Sequence, residues 1–194
     1  SWDDGDILDK RLADLLSRYN LTGTFYITKN YRPERLSDQD IKDLASKYEV
    51  GAHTLTHPDL RNLSEEEVEN EILGSKKWLE NLVGAEVKMF CYPKGLYNDS
   101  SVLSVVKAGF LGARTTNLGS IISPVNRFQM ETTIQVYPFP FRKINAKKYY
   151  WSKILEPYLR RASSLQKIGV PTSSLYSWFS VAKATFDTAL KNGE

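Results

Sequence analysis

Up to about Thr116, short β-rich runs alternate with longer stretches of helical periodicity, and no other feature of the sequence restricts its fold as much. Parallel strands need a long crossover between them, usually a helix, so this alternation predicts βα units around a mostly parallel sheet. Ile7, Leu8, Leu12, Leu15, Leu16 and Tyr19 recur at helical spacing behind Asp6, a candidate N-cap. "GTFYIT" reads as a buried strand, "SDQDIKDLASKY" as a capped helix, and "YEVGAHT" as a strand running into a loop. Ser64 and Glu67 have capping-box spacing ahead of a helix with Val68, Ile72, Leu79 and Leu82 on one face. "EVKMFCYP" is the next strand, Asp99 caps a helix to about Ala108, and "FLGART" is a further strand.

From Thr116 to Arg142 the pattern is irregular, with "TTIQVYPF" its one strand. Two helical segments follow, one interrupted at Pro157, and a last helix carries Leu175, Trp178, Phe179, Ala182, Phe186 and Leu190 on one stripe. Residues 1–194 are read as one domain, long enough to bury a core and without a linker or internal repeat. A βα alternation expects a strand after its final helix, and "SWDDG" reads as the C-terminal tip of a strand. The expectation is a domain lacking a strand segment at each end.

The chain carries 26 basic and 23 acidic residues, and a net charge of +3 is too small to imply a nucleic-acid partner. No run of about 18 apolar residues is present, so no segment is expected to span a membrane. No charged-then-apolar leader opens these residues, and location and oligomeric state are left open. Cys91 is the single cysteine, which rules out an internal disulfide and reads as a small buried hydrophobe.

The two histidines, His53 and His57, stand four apart in "GAHTLTHPDL", a spacing that chance gives two histidines roughly once in a hundred. A zinc-protease motif would need a glutamate where Thr54 stands, and Pro58 argues against a continuing helix. Two imidazoles and a carboxylate suit zinc with a fourth position open to water. Asp3 and Asp4 offer the oxygen, and both motifs fall at the C-terminal rim of predicted strands, where α/β folds build their sites. Taken singly, the carboxylates read as a solvated turn and the histidines equally well as structural residues.

"SWDDG", "HTLTH" and "CYPKG", in this order and separated by βα units, resemble the polysaccharide deacetylase family, the NodB-homology domain of carbohydrate esterase family 4. The resemblance implies a distorted (β/α)7-type barrel, mostly parallel, holding one divalent metal. Zinc is the expected ion, although these ligands also suit cobalt, nickel and iron. It implies removal of an acetyl group, N-acetyl first, from an amino sugar or polysaccharide. Position by position, Asp4, His53 and His57 become metal ligands, Asp3 the general base, and Tyr92, Pro93, Lys94 and Gly95 the loop facing the oxyanion and substrate.

Two departures stand out. Where the family carries an arginine that orients the base, this chain has Cys91, and Arg114 or Arg127 is expected to compensate if its guanidinium lies near Asp3. The family's late histidine, a general acid, has no counterpart, and its strand is expected beyond Glu194. A catalytically silent carbohydrate-binding or scaffold protein is the alternative reading, and a phosphoesterase with a second metal is a third. Trp2, Tyr92, Tyr97 and "KKYYWSK" are read as core or helix packing before sugar platforms.

Overall fold

A computed structural model of the chain describes residues 1–118, 121, 126–134 and 162–193. Their contacts divide into two compact units, one formed by Ser1–Thr115 with Asn126–Met130 and the other by the remaining described residues. The first runs α1 (Asp9–Arg18), β1 (Thr24–Ile27), α2 (Asp38–Ala45), β2 (Glu49–Ala52), α3 (Glu65–Val83), β3 (Met89–Cys91) and α4 (Asp99–Lys107) into β4 (Gly112–Leu118). With β5 (Met130–Thr132) the strands form one sheet in the order β1-β2-β3-β4-β5, and β1 to β4 pair in parallel. This is the parallel α/β arrangement that the alternation predicts. No described helix is long and apolar enough to cross a membrane.

Parallel strands are covered on both faces, so their residues are apolar in runs. Phe25, Tyr26 and Ile27 of β1, Val50 and Ala52 of β2, and Phe90 and Cys91 of β3 are all buried. Gly51 is required between them, because a Cβ there would sit 2.5 Å from the Tyr26 ring. Against this sheet α3 packs Val68, Ile72 and Leu79. Its start is the expected capping box: the Ser64 hydroxyl accepts from Glu67 N, and the Glu67 carboxylate accepts from Ser64 N at 2.8 Å.

Some local expectations change. Asp6 is not the cap residue of α1; its carboxylate accepts from Leu8 N at 2.9 Å in the turn just before the helix. Of the α1 stripe only Leu16 is fully buried, while Leu8, Leu15 and Tyr19 are exposed. That stripe is wider than the strip of helix the sheet can cover. The cap of α4 is Asn98, whose extended backbone lets Oδ1 accept from Ser101 N, and Asp99 is already the first helical residue. The strand expected at "TTIQVYPF" begins two residues early, at Met130, and residues 135–139 lie outside the described ones, as do Pro157 and "KKYYWSK".

In the second unit, helix α5 (Trp178–Asn192) is capped by Ser177 and buries Val181 and Thr185. Leu165, Val170 and Leu175 pack with Val181. The expected stripe is therefore the wrong one: Trp178, Phe179, Phe186 and Leu190 are exposed, because the covered side of the helix follows Val181 and Thr185.

Candidate metal centre

The opening residues are held despite standing at a chain end. Trp2 N donates to Thr24 O at 3.0 Å, Tyr26 N donates to Trp2 O at 2.8 Å, and the indole stacks on Phe25. This parallel bridge fixes Asp3 and Asp4 beside β1. Asp4 itself takes a left-handed φ of 80° and Gly5 one of 68°, so the chain turns sharply at the second carboxylate.

His53 follows β2 directly and is almost wholly buried. Its Nδ1 lies 2.7 Å from the Cys91 carbonyl, an acceptor only, so Nδ1 carries the proton and Nε2 is the ring's other face to the site. That Nε2 stands 3.5 Å from Asp4 Oδ1, and His57 Nε2 stands 3.4 Å from the same oxygen. Between the histidines, Thr54 and His57 both adopt left-handed backbone. The turn is clamped from α3, where the Glu71 carboxylate accepts from Leu55 N at 2.8 Å, Thr56 N at 2.9 Å and the Thr56 hydroxyl at 2.7 Å. Thr54 Oγ1 accepts from His57 N at 3.0 Å.

Asp4, His53 and His57 present one ligand atom each within 4.8 Å of one another. Zinc bonds of about 2.0–2.1 Å in tetrahedral geometry place neighbouring ligand atoms roughly 3.3 Å apart. The Asp4–histidine spacings match that edge, and two imidazoles with one carboxylate form a fitting donor set. A second group, Asp3, His53 and Cys91, meets the same distance test. Its donors are engaged otherwise, because the Arg114 guanidinium contacts both Asp3 Oδ1 and Cys91 Sγ.

Electrostatics separate the members of the centre. Burial raises Asp4, but hydrogen bonds from His53 and Arg32 outweigh it and hold the carboxyl at about 2. His53 is disfavoured as a cation by burial, yet Cys91 and Asp4 raise it to about 10. His57 is lowered to about 4, first by burial and then by the charge of His53. The metal-free centre thus favours a second proton on His53, at Nε2 beside the Asp4 carboxylate, and a metal bound there must displace it.

Of the two candidate arginines, Arg114, on β4, is the one whose guanidinium lies against Asp3. The β3–β4 register pairs Cys91 with Arg114, and the guanidinium reaches from there to Asp3 while lying 5.2 Å over the Tyr26 ring. Arg127 is instead exposed over Phe128. Of the "CYPKG" loop, Tyr92 is wholly buried, with its ring against Phe90 and Tyr97 and its hydroxyl donating to Phe128 O at 3.0 Å. Pro93 and Gly95 are also buried, and only Lys94 is exposed, with φ 55°. The side chains of Tyr92 and Trp2 therefore serve the core, and any part Tyr92 takes in the site runs through its backbone.

One residue beside the centre carries no motif. Arg32, in the segment after β1, donates from Nε at 3.1 Å and also from Nη2 to Asp4 Oδ2. The only signal pointing to it is its place in a loop at the strand rim.

A sequence profile described as polysaccharide deacetylase matches residues 1–113. The chain belongs to the polysaccharide deacetylase family. The peptidoglycan-N-acetylglucosamine deacetylase of Bacillus cereus is 33% identical over 100 residues, which make up 52% of this chain and 46% of that protein. A solved polysaccharide deacetylase from Bacillus cereus is similar with a TM-score of 0.58 at 27% identity, covering 66% of this chain and 44% of that one. A pseudoenzyme of carbohydrate esterase family 4 from Bacillus anthracis shares the fold, with a TM-score of 0.52 at 20% identity over 58% of this chain and 41% of that one. The matched stretches span 35–52% of the length of the curated relatives. All of the polysaccharide deacetylase motifs quoted above lie inside the matched residues.

Proposed function

We propose that this chain is a metal-dependent hydrolase that removes an acetyl group, most readily N-acetyl, from an amino sugar of an acetylated polysaccharide. The observation that carries the reading is the division of labour between adjacent carboxylates. Asp4 Oδ1 faces two imidazole Nε2 atoms, whereas Asp3 is held apart by Arg114. The N-acetylglucosamine named for the Bacillus cereus relative supports the substrate class.

A zinc ion held by Asp4, His53 and His57 would lower the pKa of a bound water from about 15.7 to about 7 and polarise the acetyl carbonyl. Asp3 then accepts the proton that the attacking water gives up. Arg114 contacts Asp3 Oδ1 and so aims its carboxylate. The left-handed turn at Lys94 supplies the segment facing the carbonyl oxygen as it gains charge. As the C–N bond breaks, the proton taken up by Asp3 passes to the departing nitrogen, and acetate and the amine are released.

The silent carbohydrate-binding reading draws on a specific observation. Both histidines of residues 1–194 are assigned to the metal, so within these residues no histidine delivers a proton to the leaving amine. Acetate release from N- and O-acetylated glucosamine oligomers, with zinc or with chelator, decides between the two. The enzyme reading expects release only with metal and a loss of about 10²–10⁴-fold in Asp3→Asn. Metal binding without release from any substrate would establish the silent reading instead.

A further inference from the structure

The segment between β1 and α2 closes a ring of contacts around Asp4. The Tyr31 ring stacks on His57 at 4.0 Å between centroids and 19° between planes. On Tyr31 lies the Arg32 guanidinium, 5.2 Å from the ring centroid. Arg32 then turns to Asp4 and donates from both Nε and Nη2 to Oδ2, leaving Oδ1 toward the imidazoles. Neighbouring residues Tyr31 and Arg32 therefore brace a histidine and a carboxylate that stand 53 positions apart in the chain.

A carboxylate binds a metal through one oxygen or through two, and the choice sets the coordination number. Zinc accepts four ligands, whereas manganese and the harder ions favour more oxygen donors. An arginine fork spent on one oxygen takes that oxygen out of competition. Resting on the metal reading given above, we propose that Tyr31 and Arg32 form a strap that commits Asp4 to one-oxygen ligation and so biases the centre toward zinc over manganese. Both are positioning residues, since they act through His57 and Asp4.

The test uses the metals alone, titrated into chelator-stripped protein. Removing a cation beside the site strengthens attraction for any divalent ion, so single affinities mix charge with geometry. The ratio of manganese to zinc dissociation constants cancels the shared charge effect. Arg32→Gln is expected to narrow that ratio about tenfold, the low end of what partners of metal ligands contribute. It should also weaken the visible absorption of the cobalt-loaded protein as four-coordination gives way to five. Tyr31→Ala should narrow the ratio in the same direction by less. Arg32→Lys, which keeps the charge but not the fork, should behave like Arg32→Gln.

An unchanged ratio and cobalt spectrum in Arg32→Gln would overturn the strap, as would full restoration by lysine, which would assign the effect to charge alone. Circular dichroism checks that each variant is folded, and truncation at Arg32 spares the core because its side chain is 43% exposed. A parent protein that binds neither ion would instead overturn the metal reading, so the two failures are distinguishable.

Discussion

At the scale of single residues, backbone strain marks the site. Of the five non-glycine residues with left-handed φ among those described, Asp4, Thr54 and His57 lie at the candidate metal centre and Lys94 in the loop proposed to face the carbonyl oxygen. Such conformations cost roughly 1–3 kcal/mol each and persist only where neighbours over-determine them. A second kind of local cost sits beside them in Asp9, the first residue of α1, which is buried with Oδ2 lacking a hydrogen-bond partner. Burial, followed by repulsion from Asp6, Asp3 and Asp4, raises its carboxyl to about 7. Between about pH 4 and pH 7 the folded chain therefore holds a proton that the unfolded chain has lost, and stability declines as pH rises through that window. Asp9→Asn removes the charge and should flatten the decline. The expected gain is about 1–3 kcal/mol at pH 8 and about a quarter of that at pH 4.5, near the start of the window. Urea unfolding of chelator-treated protein at the two pH values measures it, and equal differences at both would refute the assignment.

At the scale of elements, α3 matters for its middle as much as for its core face. Glu71 holds the turn between the two histidines through three accepted hydrogen bonds. Glu71→Ala should weaken zinc binding about 10–100-fold, in line with other groups that orient metal ligands. Unfolding stability should fall by only about 1–3 kcal/mol, because the apolar face of α3 is untouched. Isothermal titration alongside urea unfolding separates the two effects, and zinc affinity equal to the parent's would dismiss the clamp. Elements of this kind are unevenly legible in the sequence. The Ser64–Glu67 box and the strands β1 to β3 were readable because capping and apolar runs are local signals. The stripes of α1 and α5 were not, since periodicity defines a face without saying which part of it a neighbour covers. Arg114 was readable only as one of two candidates, because the choice rests on the pairing of Cys91 with Arg114 across strands. The contact between Arg32 and Asp4 spans 28 positions and left no pattern to find.

At the scale of the molecule, the centre ties the opening turn to β1, β2 and the loop before α3, so ligand binding and folding of the first unit are coupled. Asp4, His53 and His57 come from two separated stretches that only the folded sheet brings together. A metal that binds the folded state alone stabilises it by RT ln(1 + [L]/Kd), about 4 kcal/mol at a thousandfold excess over Kd. For a domain of this size that corresponds to roughly 8–16 °C in the unfolding midpoint. Zinc should therefore raise the midpoint of chelator-stripped protein, and excess chelator should reverse the change. The rise should shrink as pH falls, because the proton that His53 holds up to about pH 10 competes with the ion for the same position. In His57→Gln most of the rise should vanish, while the metal-free midpoint moves little, since a neutral amide replaces an imidazole that is itself neutral above about pH 4. Differential scanning fluorimetry at pH 6 and pH 8 reads all of these changes. A zinc-dependent rise of equal size in His57→Gln and parent would place the ion elsewhere, and a rise independent of pH would remove the proton from the site.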